Sequence, residues 1–256
     1  MTRPPFPVLQ RFSASSKEEE AHTSNVRVKP AQVDPPSMLT RLQFNCTYSN
    51  LATLPREGVP EIAFVGRSNA GKSSAINAFA QQHKLAFVSR TPGRTQHFNY
   101  FAIAASPPEP LKHRAFLVDL PGYGFAKIGM GIKSRWNELF STYVSTRQPL
   151  VALCLLMDIR HPLTPLDQHF LQLAIQAGRP LLVLLTKADK LGFAQMTKVH
   201  RETEIKLGEL LIASNAALSN NISLTVMPFS ILKRINIVAA RQWIESTLGL
   251  AGIENK

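Results

Sequence analysis

Gly66, Gly71, Lys72 and Ser73 occupy the fixed places of a G-x-x-x-x-G-K-S pattern, filled here by Gly66-Arg67-Ser68-Asn69-Ala70-Gly71-Lys72-Ser73. Residue types at this spacing make a cradle for phosphate. The glycines let backbone N–H groups turn toward phosphate oxygens. The positive end of a following helix adds to the field. Lys72 is expected to reach the β- and γ-phosphates, and the Ser73 hydroxyl to ligate Mg2+. The flanks suit the motif: the β-forming run Glu61-Ile62-Ala63-Phe64-Val65 precedes it, and a stretch of helical period begins at Lys72. The chemistry implied is that of a nucleoside triphosphate site.

Three further segments complete such a site. Phe116-Leu117-Val118-Asp119-Leu120-Pro121-Gly122 ends an apolar run with D-x-x-G. An Asp there is a Mg2+ partner through water, and Gly122 can offer its N–H to the γ-phosphate. Thr186-Lys187-Ala188-Asp189 is T-K-x-D at the end of another apolar run. A carboxylate at Asp189 can accept from N1–H and the 2-amino group of guanine, and adenine offers neither donor there. Lys187 can lay its stem along the base. Thr186 stands where many GTPases carry Asn. A backbone N–H within Phe229-Ser230-Ile231 can meet the guanine carbonyl oxygen. Gly93, Arg94, Thr95 and Gln96 lie in a loop before the next strand, with His97 at the start of that strand, and a Thr in the loop can bind Mg2+ and γ-phosphate only while the triphosphate is present. Thr91 and Thr95 both qualify, and Thr95 lies nearer the strand.

No catalytic residue can be assigned; Thr95 and Lys72 are candidates. Many GTPases place Gln after the D-x-x-G glycine, whereas Tyr123 stands there. Slow hydrolysis, completed by a partner or an ion, is expected. Asn69 is a candidate K+ ligand and Arg94 a candidate cis cation; each can equally serve its own loop. Tyr123 and Phe125 lie in a Gly-rich span and either form an exposed reader surface or pack inward.

The elements that must position these residues alternate. Six runs are rich in β-formers: 61–65, 97–104, 114–120, 150–158, 180–186 and 222–229. Helical stretches lie at 72–80, 133–146, 165–177, 195–217 and 233–247. Alternation of this kind gives an α/β fold with a mostly parallel sheet and helices on both faces. The short Pro-rich link 105–113 leaves no room for a crossover helix, so the second and third runs should form an antiparallel edge hairpin. Six strands are expected. Residues 1–38, with Pro4, Pro5, Pro7, Pro30, Pro35 and Pro36, read as a disordered arm, 39–250 as the folded domain and 251–256 as a tail.

With 256 residues, 45% of them hydrophobic, the chain can fill a core, which excludes a stapled miniprotein and a wholly disordered chain. The formal charge is +12. The arm is nearly balanced, so the excess lies in the folded part and points to a polyanion, nucleic acid before membrane. Candidate contacts include Lys127, Lys133, Arg135, Arg147, Arg160, Arg179, Lys187, Lys190, Lys198, Arg201, Lys206, Lys233, Arg234 and Arg241. Cys46 and Cys154 do not make a disulfide framework and read as small hydrophobes. No run approaches the ~18 apolar residues of a membrane span. No membrane anchor, a cytoplasmic location and a monomer are expected.

Taken together, GRSNAGKS at 66–73, TPGRTQ at 91–96, DLPGYGFA at 119–126 and TKADK at 186–190 resemble the EngB family (also YihA or YsxC) of translation-factor-class P-loop GTPases. The resemblance spans about residues 40–248. It implies a P-loop GTPase fold, GTP and GDP as ligands with Mg2+, and a link to large ribosomal subunit assembly, its precursor RNA, and cell division and septation. It also carries the switch role onto Thr95 and the magnesium roles onto Ser73 and Thr95. A protein-partner switch in septation, without ribosome binding, is the alternative.

Overall fold

The apolar runs build one sheet, and its carboxyl edge gathers the chemistry. A computed structural model of the chain describes residues 34–55, 58–87, 97–104, 113–124, 130–214 and 222–250, with the main chain alone over 130–136. In chain order the elements are β1 (Leu42–Tyr48), β2 (Glu61–Gly66), α1 (Lys72–Ala80), β3 (Phe98–Ala104), β4 (His113–Asp119), α2 (Met130–Thr146), β5 (Leu150–Asp158), α3 (Pro165–Gln176), β6 (Leu181–Thr186), α4 (Phe193–Ala213), β7 (Leu224–Pro228) and α5 (Ile237–Thr247). The strand order is β1-β3-β4-β2-β5-β6-β7. Strands β4, β2, β5, β6 and β7 pair in parallel, while β3 is antiparallel to both β1 and β4.

Both faces of the sheet are covered, which is why β5 and β6 are apolar almost throughout. On one face Ile62, Phe64, Leu182 and Leu184 meet Ile76 and Phe79 of α1 and Ile237, Ala240 and Ile244 of α5. On the other, Ala63, Val65, Val183 and Leu185 meet Phe140 and Tyr143 of α2, Phe170 and Leu171 of α3, and Leu207 of α4. The alternation along β2 and β6 assigns neighbouring residues to opposite cores. Cys154 is buried and Cys46, on β1, only half-buried. No helix among the described residues is long and apolar enough to cross a membrane.

The expected α/β architecture is present, with seven strands rather than six. The extra strand is β1, which adds to β3 and makes the hairpin the inner part of an antiparallel edge. Its side chains give little alternation: Gln43, Phe44 and Asn45 are all exposed, and a bulge falls between Phe44 and Cys46. Ser37 and Met38, expected in the arm, pack into the domain. The Ser37 hydroxyl donates to Glu245 Oε1 (2.7 Å), and Met38 and Leu39 are buried beside α1 and α5. The last helix begins at Ile237, not Lys233, because 231–236 is a turn in which Arg234 and Asn236 take left-handed φ of 53° and 54°.

Three arginines expected at a nucleic-acid surface serve the fold instead. Glu61 is fully buried at the start of β2. It accepts from Arg147 Nε and Nη2 (both 2.8 Å), Tyr143 Oη (2.6 Å) and Tyr100 Oη (3.2 Å). Burial, then the Glu61 charge, pushes both phenols well above their ordinary pKa. Arg179 donates to the carbonyls of Val144, Leu150 and Arg147, closing the α2–β5 corner. Arg241 is buried and donates to Ala78 O (2.7 Å). Replacing Arg147 by Ala leaves the Glu61 carboxylate buried without its counter-charge. Denaturant unfolding should show a loss of about 3–5 kcal/mol, against little change for Arg201→Ala on the exposed side of α4.

Candidate nucleotide-binding site

The phosphate loop leaves β2 at Gly66 under tight constraint. A Cβ there would stand 2.6 Å from Leu156 O, on the neighbouring strand β5, so the loop cannot begin with any other residue without a backbone shift. The Ser68 N–H donates to Tyr123 O (2.9 Å) and the Ala70 N–H to Arg67 O (3.0 Å). Those two donors are committed within the protein. Asn69 is exposed with a left-handed φ of 63°, and Arg67 is exposed and forms a bridge with Tyr123. Gly71, at φ 101°, precedes α1, whose first turn has no side-chain cap. The N–H groups of Lys72 and Ser73 thus start a helix whose open end is suited to an anion.

Below the loop, Asp119 at the end of β4 gathers Lys72 and Ser73. Ser73 Oγ donates to Asp119 Oδ2 (2.9 Å), and Lys72 Nζ lies 3.7 Å from Oδ1. Asp119 is buried, and its Oδ1 has no hydrogen-bond partner among the described residues. Burial raises the Asp119 pKa, while the Lys72 charge and the Ser73 hydroxyl pull it down. A carboxylate oxygen without a donor, beside a hydroxyl, is a hard oxygen set of the kind Mg2+ accepts while keeping waters. The residues fit that ion. Leu120 and Pro121 are buried, and Gly122 sits so close to the loop that a Cβ would stand 3.2 Å from Ser68 N and 3.3 Å from Lys72 Nζ.

Tyr123 packs inward. It is buried, its ring lies 4.1 Å from Phe170, and its hydroxyl donates to Asp167 Oδ1 (2.5 Å). Asp167 also completes the capping box of α3 with Thr164. Tyr123 is therefore no part of an exposed reader surface. Phe125 lies outside the described residues, as do Thr91, Gly93, Arg94, Thr95 and Gln96; His97 is exposed just before β3.

A pocket of about 210 Å³ opens beside the loop, lined by Gly71, Ser74, Lys187, Asp189, Ile231 and Leu232 among others. Thr186 lies at its floor, buried, with Oγ1 2.8 Å from Ala70 O and 3.1 Å from Met157 O. Its single hydroxyl proton ties the end of β6 to the phosphate loop and to β5. Lys187 has a left-handed φ of 58°, and its Nζ lies 3.0 Å from Asp158 Oδ2. Asp189 Oδ1 accepts from Ser230 Oγ (2.6 Å). The Phe229 N–H donates to Leu185 O and the Ser230 N–H to Ile235 O, while Phe229 O accepts from Ala188 N. Of the three N–H groups expected to offer a backbone contact, those of Phe229 and Ser230 are thus taken within the protein. The sequence reading missed Ser74, Leu232 and Asp158. The signal for Asp158 was the one used for Asp119, an Asp closing an apolar strand.

A phosphate loop between β2 and α1, an Asp closing β4, and a T-K-x-D closing β6 at the carboxyl edge of a doubly covered sheet define a P-loop GTPase. The family model described as "50S ribosome-binding GTPase" matches residues 61–187. The "Probable GTP-binding protein EngB" of Cupriavidus taiwanensis is 47% identical over 84% of this chain and 88% of its own length. That of Ralstonia nicotianae is 43% identical over 84% and 89%. The chain belongs to the EngB family of GTP-binding proteins. Solved structures bear out the fold. A probable EngB matches with a TM-score of 0.53 at 19% identity, covering 74% of this chain and 98% of that one. Era from Aquifex aeolicus bound to GDP and aluminium fluoride matches with 0.54 at 19% identity, covering 75% and 56%.

Thr186→Val keeps the shape and removes the hydroxyl, leaving two buried carbonyls short of a donor. We expect a loss of about 1–3 kcal/mol in denaturant unfolding. GDP affinity should fall with it, because Ala70 O belongs to the phosphate loop.

Proposed function

We propose that this protein is a slow, Mg2+-dependent GTPase switch that assists assembly of the large ribosomal subunit in the cytoplasm. Normal cell division and septation would depend on it through that role. The observation that carries the nucleotide part is the donor-starved Asp119 carboxylate beneath Lys72 and Ser73. The loop N–H groups and Lys72 would hold the phosphates, with Arg67, Ser68, Asn69 and Ala70 shaping the loop. Ser73 and Thr95 would ligate Mg2+, with Asp119 acting through water; the ion would neutralise developing charge on the phosphates. Gly93, Arg94, Gln96 and His97 would close over them, and Gly122 would meet the γ-phosphate. Asp189 would read the guanine edge, with Lys187 along its face and Ile231 at the carbonyl oxygen. Tyr123 lies where a water-positioning Gln would stand, and its hydroxyl is committed to Asp167. Hydrolysis would therefore wait for a partner, or for K+ held by Asn69.

The ribosomal part is supported by the description of the matching family model and by the net charge of +12. A protein-partner switch in septation is the second reading. It is favoured by the exposed Phe193, Ile205 and Ile212 of α4, where Lys198 and Lys206 are paired with Glu202 and Glu209. Co-sedimentation with ribosomal particles from a cell extract separates the two. With a non-hydrolysable GTP analogue the protein should travel with large-subunit particles, more weakly at higher salt, and with GDP it should be released. No association in either state would shift the assignment to the protein-partner switch. Asp189→Asn tests base choice. The amide replaces one acceptor by a donor, so GDP affinity should fall about a hundredfold. Xanthosine diphosphate, whose 2-oxo group accepts, should gain affinity in the same titration.

A further inference from the structure

Asp158 does not line the base pocket, yet it is bonded to a residue that does. It closes β5 in register with Thr186 of β6. Its Oδ1 accepts from the N–H (3.1 Å) and Nε (2.9 Å) of Arg160. Its Oδ2 accepts from Arg160 Nη2 (2.7 Å) and lies 3.0 Å from Lys187 Nζ. Arg160 first, then Lys187, hold the Asp158 carboxyl well below the usual carboxylate range. Two residues beyond Lys187 stands Asp189, whose Oδ1 is taken by Ser230. Its remaining acceptor capacity is what a guanine edge would need. Lys190 Nζ is already 3.8 Å from Oδ2, and Arg160 is close enough to feel the same charge. Two carboxylates, Asp189 at the pocket and Asp158 behind Lys187, thus share three cations. Which cation rests on which carboxylate decides whether Asp189 can accept two hydrogen bonds from a base.

We propose that Asp158 is a positioning residue for guanine recognition. By holding the Lys187 ammonium at the side of the pocket it keeps that charge off Asp189 and leaves the carboxylate open to both donors of the guanine edge. This rests on the assignment of the pocket to guanine. The left-handed backbone at Lys187 fixes where its stem starts, and the clamp at Asp158 fixes where it ends. Arg160 contributes by locking the Asp158 rotamer from its own backbone and side chain, so the acceptor facing Lys187 is preorganised.

The test is a nucleotide titration with GDP and with inosine diphosphate, which keeps N1–H and lacks the 2-amino group. The full chain would be used as wild type, Asp158→Asn, Lys187→Met and the double variant, with each fold checked by circular dichroism. In Asp158→Asn the freed ammonium turns to Asp189 and competes with the base edge. The GDP-to-inosine-diphosphate preference should fall about fivefold, the size of one partly exposed ion pair. Lys187→Met retains an apolar stem without the charge. In that background Asp158→Asn should change neither the preference nor GDP affinity by more than about twofold, since there is no ammonium left to hold. An Asp158→Asn variant that weakens both nucleotides equally, or whose effect persists in the Lys187→Met background, would overturn the proposal and leave Asp158 a structural residue. A wild-type protein that fails to prefer GDP over inosine diphosphate would instead overturn the guanine assignment itself.

Discussion

A Cβ at Gly66 would collide with the Leu156 carbonyl, and from that contact the rest of the site follows. The phosphate loop can lie flush against β5 only because its first residue has no side chain. Lying there, it brings Ala70 O within reach of the Thr186 hydroxyl and Ser68 N within reach of Tyr123 O. The segment following β4 and the end of β6 are thus tied to one loop by short bonds, and Thr186 Oγ1, 3.1 Å from Met157 O, links β5 to them. The sheet behind cannot slide without breaking them, since its side chains divide between two filled cores. A cradle for phosphate needs donors that do not reorganise on binding, and this packing supplies that rigidity. The fold and the site are one constraint seen from two sides.

Two aspartates end apolar strands on either side of β2 at this edge and meet opposite fates. Asp119 is buried with one hydroxyl donor and a distant ammonium, so its charged form is under-served and its pKa is pushed up. Asp158 is partly exposed and saturated by a guanidinium, an N–H and an ammonium, so its pKa is pulled down. The residue type and the position at a strand end are shared. Solvent access and donor supply divide them. The first has capacity left for a cation and the second has none, which is why one fits a metal and the other can only orient a neighbour.

Much of the site was legible in the sequence because its signals are local. The phosphate loop, Asp119 and the T-K-x-D lie where period and motif place them, since each is a short segment at a strand end. What escaped depends on contacts distant along the chain. Strand β1 shows little inward-outward pattern because its partner β3 provides the pairing and solvent covers most of its side chains. Thr186 could be read as a weakened base contact. Its actual partner, Ala70 O, lies 116 residues away in sequence. The inward turn of Tyr123 depends on Asp167 and Phe170, which nothing near residue 123 announces. Ser230 was read for a backbone donor, whereas its hydroxyl orients Asp189 and its N–H is already taken.

The distribution of cations follows the same physics. Arginines 147, 179 and 241 are drawn inside, where a planar fork can satisfy a carboxylate or a carbonyl at fixed geometry. Lys190 and Lys206 remain largely exposed, where a flexible, strongly hydrated ammonium is least costly. A count of basic residues therefore overstates the surface that a polyanion would meet. On α4 the lysines are further discounted by glutamates one turn away. Around the pocket, Arg160, Lys187 and Lys190 face Asp158 and Asp189. Binding of a phosphate backbone is favoured where positive potential is least neutralised. A charge balance nearly closed at the pocket rim and along α4 leaves the remaining excess to be carried by other parts of the domain.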